Sequence, residues 1–506
     1  MRFMEPTLPP LIHALLEPHR YPDAVQQVSR VELVQTHISW VLLAGEFAYK
    51  IKKPLKLPFL DFSTLALRHA ACLEELRLNR RFAPDIYLDV SGIFNTPQDP
   101  RFEGQDTPIE YAVRMRRFEE AGRLDRVCAR GELLPQHLSS LADMLADFHE
   151  AAAVAPAASR FGLPEKIAAP ALDNFRDLSD LLPCAGIQAR LDVLQAWTET
   201  QLSQLAPLMQ ARKLAGRVRE CHGDLHLANL VLIDQRVRMF DCIEFNEDLR
   251  WIDVTSEIAF TYVDLLANGQ PGLADWFVNE LWSRSGDYEA ARLLRFYAVY
   301  RAMVRAKVTA IQNAQTQEDN SKALAYIALA EDLMTPPPVR LVITHGLSGC
   351  GKTVASSALL QGDAQASTLR LRSDVERKRL FGLTGPERSG SAFNAGIYTP
   401  QARTRTYARL HELADMLLRA GWSVIVDAAF LKHAEREEFR MLAKNAGAAF
   451  GILAPQATPG QLRERIKARN ALGQDASEAT LDVLAQQMQM LEPLDAQEME
   501  FVLSNP

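Results

Sequence analysis

Apolar and polar positions along this chain change rhythm three times. Near the start, short runs bounded by turn residues, VSRVELVQTHIS from Val28, WVLL from Trp40 and FAYKIKK from Phe47, predict a small antiparallel sheet turning at Ala44-Gly45-Glu46. A charged helix is expected over roughly Leu65 to Phe82, with further strands at DIYLDVSGIF from Asp85 and PIEYAVRMRRF from Pro108. From Pro135 onward the spacing becomes helical, interrupted by VLIDQRVRMFDCIEF from Val231, which reads as a hairpin. A sheet-rich lobe is therefore followed by a helical lobe.

The third change comes after the helical run SKALAYIALAEDLM, which stops at Thr335 and the prolines Pro336, Pro337 and Pro338. Proline removes a backbone donor and pushes its predecessor out of helix, so the triplet reads as a stiff linker. Beyond it, strands (VRLVIT, TLRLRS, WSVIVDA, AFGILA) alternate with helices, which implies a parallel sheet covered on both faces. The expected domains are residues 1–334, a linker at 335–339, and residues 340–506. The expected fold class is an α+β two-lobed kinase-like domain followed by an α/β P-loop domain.

Bulk properties narrow the function. A chain of 506 residues exceeds one ordinary core. A net charge of −7 argues against bulk binding to nucleic acid or an anionic membrane, although KIKKPLK from Lys50 is a local basic cluster. The six cysteines show no C-x-x-C and no regular spacing, so neither a disulfide framework nor a zinc site is expected, and a reducing cytoplasm fits best. The first residues do not read as a secretory signal, and no run approaches the roughly 20 apolar residues of a membrane span.

Two motifs carry chemistry. The first is CHGDLHLANL, with His222, Asp224 and Asn229 at the spacing of a kinase catalytic loop. Phosphoryl transfer needs mostly positioning and charge neutralisation, so its parts can be sought one by one. Asp224 is the candidate base for an acceptor hydroxyl, and Asn229 and Asp241 are the candidates for metal ions. Lys50 in FAYKIKK is the candidate phosphate-holding lysine, with Ala48 under an adenine, and Lys52 shares its face. Glu75 or Glu74 in CLEELRLNRR would anchor that lysine.

At these residues the segment from Val28 to about Val308 resembles the aminoglycoside phosphotransferase and choline kinase family, which has glycine after the catalytic-loop histidine as here. The resemblance implies a small-molecule kinase using ATP and Mg²⁺, and makes Asp253 in DLRWIDVTSEIAF a structural brace. QTHISW, between the first two strands, lacks the glycines of a protein-kinase phosphate loop. No carboxylate cage or aromatic box marks the acceptor.

The second motif, GLSGCGKT, is a complete G-x-x-x-x-G-K-[ST] phosphate loop between a strand and a helix. Through Gly346, Ser348, Gly349, Cys350 and Gly351 its backbone N–H groups would turn onto phosphates at a helix N-terminus. Lys352 would reach the terminal phosphates and Thr353 would ligate Mg²⁺. Asp374, past the end of a strand, suits a general base, with Arg377 one turn on as a cation for an anionic acceptor; Ser373 and Asp374 also compete as a helix N-cap. Asp427 closes an apolar run as a metal-side carboxylate. Arg463, Arg465 and Arg469 line a helix that reads either as a lid over the transferring phosphate or as a solvated face.

From about Arg340 to Leu491 this half resembles the small P-loop kinases grouped with zeta toxins, gluconate kinase and the polynucleotide 5′-kinase domain. Together the halves resemble a bacterial family of bifunctional proteins that joins two such domains. The resemblance implies two ATP- and Mg²⁺-dependent transfers to small-molecule hydroxyls; charge and the lack of a long apolar run lead us to expect no membrane partner. Its alternatives are a polynucleotide or nucleotide 5′-kinase or zeta-like toxin in the second half, nucleic acid being the less favoured acceptor, and a nucleotide-sensing module in either half.

Overall fold

Period-two alternation decides where the first lysines go. Strands β1 (Val31–Gln35), β2 (Ser39–Ala44) and β3 (Phe47–Lys52) form an antiparallel meander. Helix α1 (Leu65–Asn79) follows, then β4 (Tyr87–Thr96), β5 (Asp99–Arg101) and β6 (Glu110–Arg116), and the sheet order is β1-β2-β3-β6-β4-β5. Along β3, Tyr49 and Ile51 enter one core with Leu42, Ile93 and Ala112, so Lys50 and Lys52 emerge on the other face. Helix α1 covers that face. Thr64 caps it by accepting from Leu67 N–H, and its buried positions Arg68, Cys72, Glu75 and Asn79 follow the helical repeat.

The structure is a computed structural model and describes residues 8–21, 28–57, 60–316, 319–385, 387–389, 396–472 and 476–503. Among them no helix is long and apolar enough to cross a membrane, and all six cysteines are free. Contacts divide the chain into two compact units. One comprises Met1–Leu133, Phe148–Leu163 and Gln210–Glu257; the other comprises Leu134–Asp147, Pro164–Met209 and Ile258–Pro506.

The first unit holds the six-stranded sheet and the catalytic-loop motif. That motif lies between the Val218–Glu220 strand and the hairpin of Leu230–Ile233 with Arg236–Met239. Trp251–Asp253 pairs antiparallel with Val218–Glu220. Asp253 is a brace here: its carboxylate takes Arg212 Nε (2.8 Å) and Nη2 (3.0 Å) and the Thr255 N–H (2.8 Å), all buried. Burial works against ionisation, but Arg212 outweighs it and holds Asp253 below the ordinary carboxylate range. Asp253→Ala strands a buried guanidinium and should lower stability by about 3–5 kcal/mol in urea unfolding. Because the folded pKa is depressed, the wild-type contribution is complete above the ordinary aspartate range and is lost as pH falls through the folded value.

The second unit contains helices α2 (Pro271–Ser285) and α3 (Ala291–Thr316) and a four-stranded parallel sheet. Its elements run β7 (Arg340–Thr344), α4 (Lys352–Gln361), β8 (Thr368–Arg372), α5 (Ser373–Leu380), α6 (Pro400–Arg419), β9 (Ser423–Asp427), α7 (His433–Asn445), β10 (Ala449–Leu453), α8 (Pro459–Leu472) and α9 (Leu481–Met490). The sheet order is β8-β9-β7-β10, and the strands are apolar runs with Leu341, Ile343, Leu369, Leu371, Val424 and Val426 buried, as parallel strands covered on both faces require. Polar ties cross the proline linker: Tyr262 donates to the Ala366 carbonyl (2.9 Å), and the Trp422 indole N–H to that of Ala291 (3.0 Å). The loop after β7 lies at the carboxyl ends of the strands, where open α/β sheets place their ligands.

Candidate functional site

In the first unit a set of paired ions forms around β3, with Lys50, Lys52, Glu75 and Glu244 buried and Asp241 partly exposed. Lys50 Nζ lies 2.8 Å from Glu75 Oε1 and also pairs with Asp241. Lys52, fully buried, pairs with the other oxygen of Glu75 and with Glu244. Burial alone would lower the Lys50 pKa, but Asp241, Glu75 and Glu244 together raise it well above the lysine range, so the ammonium stays charged. Asp241 is pushed up by burial and pulled further down by Lys50, so it stays ionised. Glu74 faces elsewhere, to Arg77 (2.7 Å) and Arg250 (2.9 Å). Glu75 is thus the residue that meets the lysines, and Lys50 the one that meets Asp241.

The catalytic-loop segment is tied down from several directions. His222 Nε2 donates to the Phe240 carbonyl (2.8 Å), which puts its proton there and leaves Nδ1 facing the Asp224 N–H (3.3 Å). Burial lowers its pKa, consistent with this neutral tautomer. Glu257 accepts from both His222 N–H (2.7 Å) and Gly223 N–H (2.9 Å). Gly223 has φ +91°, and a Cβ there would sit 2.8 Å from the Leu249 carbonyl oxygen, so glycine is required. Asn229 Nδ2 donates to the Asp224 carbonyl (2.9 Å) and lies 3.4 Å from its carboxylate, and His226 Nε2 is 3.4 Å from Asp224 Oδ2. Asp241 holds a left-handed φ of +66°, its N–H donating to the Tyr87 hydroxyl (2.9 Å). Asn229 uses its amide N–H on Asp224, so its oxygen and the Asp241 carboxylate are the hard donors that suit Mg²⁺.

In the second unit the phosphate loop opens into a cavity of about 330 Å³. Gly346, Gly349 and Gly351 all have positive φ (134°, 86° and 103°), which lets consecutive N–H groups turn inward. Lys352, Thr353, Asp374, Arg377, Asp427, Arg465 and Arg469 line the same cavity. Lys352 Nζ is folded back on the carbonyls of Gly346 (2.9 Å) and Leu347 (2.8 Å). Arg377 Nη1 is 2.6 Å from Asp374 Oδ1. Burial raises the Asp374 pKa, but Arg377 and Arg372 outweigh it, and the carboxylate stays ionised. Asp374 lies in the first turn of α5; the N-cap is Arg372, so neither Ser373 nor Asp374 caps that helix. Asp427 Oδ2 is 3.3 Å from Ser356 Oγ. The Thr353 hydroxyl and Asp427 again offer hard oxygens suited to Mg²⁺.

Four residues lie elsewhere than expected or were not foreseen. Arg465 (to the Gly349 carbonyl, 3.3 Å) and Arg469 (to the Ala479 carbonyl, 3.2 Å) reach the cavity, but Arg463 is exposed and lies outside its lining. Two residues before Arg465 is the opposite side of a helix. Glu244 and Glu257 carried no motif signal. Gln487 in α9 accepts the Ser348 N–H through Oε1 (2.8 Å), so a side chain occupies a donor of the phosphate loop. Gln487→Ala should free that donor and tighten binding of an ATP analogue at this loop by about 0.5–1.5 kcal/mol, roughly 2- to 12-fold, measured by calorimetry.

Comparison with known proteins gives two family matches. Residues 59–297 match the phosphotransferase enzyme family, and residues 341–494 match the AAA domain family. An uncharacterized protein of Mycobacterium tuberculosis is 29% identical over 460 residues, covering 90% of this chain and 89% of its own. Similar solved structures include a choline/ethanolamine kinase family protein from Mesorhizobium loti, 14% identical over 65% of this chain and 96% of that one, with a TM-score of 0.42. They also include the Mycobacterium tuberculosis APS kinase in complex with AMPPNP and APS, 23% identical over 29% of this chain and 78% of that one, with a TM-score of 0.22.

Proposed function

We propose that this chain, a phosphotransferase-family domain followed by a P-loop kinase-like domain, is a two-headed kinase that uses ATP and Mg²⁺ to phosphorylate hydroxyls of small-molecule acceptors. The observation that carries the reading is the meeting of Lys50 with both Glu75 and Asp241. It brings into one cluster the residues that would serve as the strand lysine, the helix glutamate and the metal-side aspartate of a phosphoryl-transfer site.

In the first head Asp224 takes the proton of the acceptor hydroxyl as its oxygen bonds to the γ-phosphorus. The bond to the β–γ bridging oxygen breaks, and ADP leaves. Lys50 holds the phosphates, and Asn229 and Asp241 would hold Mg²⁺, which supplies charge neutralisation at the phosphate oxygens when bound. In the second head Asp374 is the base, and the loop N–H groups with Lys352 cradle the phosphates. Thr353 and Asp427 are on the metal side, and Arg465 and Arg469 close over the phosphate. A cavity of about 330 Å³ is of small-molecule size, and Arg377 beside the base suits an anionic acceptor.

The test incubates the protein with γ-labelled ATP, Mg²⁺ and a small-molecule cell extract, comparing wild type with Asp224→Ala and Lys352→Ala. Two labelled products, each lost in one variant, support two independent heads. No labelled product, with ATP still bound, sinks the reading. A second reading makes the P-loop head a nucleotide sensor, favoured by the Gln487 cap on Ser348. Under it Asp374→Asn leaves every product unchanged while Lys352→Ala alters the first head's output.

A further inference from the structure

We propose that Arg370 is a positioning residue of the P-loop head, set from outside by helix α2, so that the head is complete only with a helix drawn from the phosphotransferase-family half of the chain. The inference rests on the reading of that head as an ATP- and Mg²⁺-binding site.

Strand β8 is an edge of the parallel sheet, and an edge strand turns every second N–H outward. Those of Thr368 and Arg370 are taken by side chains of α2: Thr368 N–H donates to Asp275 Oδ2 (2.9 Å) and Arg370 N–H to Asn279 Oδ1 (2.7 Å). Four helical residues rise about 6 Å and two strand residues about 6.6 Å, so an acceptor every fourth position of α2 matches a donor every second position of β8. Helix α2 also presses on the end of α4. A Cβ on Gly272 would lie 1.8 Å from the Gln361 carbonyl oxygen, so only glycine permits the approach. Residues 271–285 fall inside the segment matching the phosphotransferase enzyme family.

The Arg370 side chain carries this docking to the metal side of the head. It is 2% exposed. Its Nη1 donates to Ser357 Oγ (2.6 Å) and lies 3.4 Å from both Ser356 Oγ and the Thr353 carbonyl oxygen. On the other side Nη2 is 3.5 Å from Glu280 Oε1, and the guanidinium lies over the Trp276 ring. Asn279 holds its backbone, while Trp276 and Glu280 hold its side chain. The Ser356 hydroxyl that accepts from Arg370 is the one beside Asp427, and the Thr353 carbonyl belongs to the residue whose hydroxyl would ligate Mg²⁺. The guanidinium therefore fixes the first turn of α4 against the Asp427 carboxylate. Lysine cannot replace it, because one ammonium cannot reach Ser357 and Glu280 together.

The test uses the full chain in a Lys50→Ala background, which silences the first head, and follows binding of a fluorescent ATP analogue against Mg²⁺ concentration and in EDTA. Arg370→Met is expected to raise the Mg²⁺ needed for half-maximal binding by about tenfold, in the range seen when groups behind metal ligands are removed. Arg370→Lys should fall between, and Glu280→Gln should shift it less in the same direction. Binding in EDTA should not change. Glu280 is partly exposed, so its variant keeps the test open if Arg370→Met does not fold. Wild-type Mg²⁺ dependence in folded Arg370 variants overturns the inference, as does an equal loss with and without Mg²⁺. Nucleotide binding by the parent with no Mg²⁺ dependence overturns the reading of the head itself, and the inference with it.

Discussion

Asp224→Ala should reduce turnover of the first head by about 10²–10⁴-fold while ATP binding stays near wild type, because a general base contributes to the transition state and little to the ground state. Asp224 has no part in the Lys50–Glu75–Asp241 cluster, which would hold the nucleotide. Its position is set by Asn229, which donates to its carbonyl, and by the turn that Gly223 allows and Glu257 fixes. Removing the carboxylate disturbs none of these bonds, so the protein should fold and bind. The measurement is steady-state transfer from γ-labelled ATP beside equilibrium binding of ATP. A loss in KM alone, with kcat intact, would assign Asp224 to acceptor binding.

Lys352→Ala should lower transfer by the second head by about 10²–10³-fold, the loss usual when a donor to a developing phosphate charge is removed. The ammonium rests on the carbonyls of Gly346 and Leu347, within the loop that would cradle the phosphates. Alanine removes the positive charge and leaves the loop's three left-handed glycines in place, so the backbone cradle persists. The result expected is a fall in both kcat and ATP affinity, with no change in products of the first head. Loss of both heads in this single variant would show instead that they are coupled.

Local features were legible where sequence neighbours decide the geometry. The alternation of FAYKIKK placed Lys50 and Lys52 on one face, and the helical repeat of α1 brought Glu75 onto the same face. The phosphate loop, its flanking strand and helix, and the strand-end positions of Asp374 and Asp427 follow from patterns a few residues long. What distance in sequence separates was not legible. Whether Glu74 or Glu75 met the lysine waited on the helix rotation. Glu257 lies 35 residues beyond the histidine whose N–H it accepts, and Gln487 lies 139 beyond Ser348. An isolated glutamate in an apolar helix, or one glutamine beside another, has no spacing to mark it. Arg463 lies outside the cavity that Arg465 and Arg469 reach, because only those two, four residues apart, share a helix face.

The capped edge of β8 bears on how this gene can be cut. The prolines after Thr335 look like the natural place to part the two halves, yet a fragment beginning there leaves α2 behind. Its outermost strand would then present the N–H groups of Thr368 and Arg370 with no acceptor, and Trp422, now 1% exposed, would lose cover from Ala291. Such an edge invites pairing with a second copy of itself. The fragment is expected to self-associate in size-exclusion chromatography, and fission at the prolines would be selected against unless α2 travelled with the downstream piece.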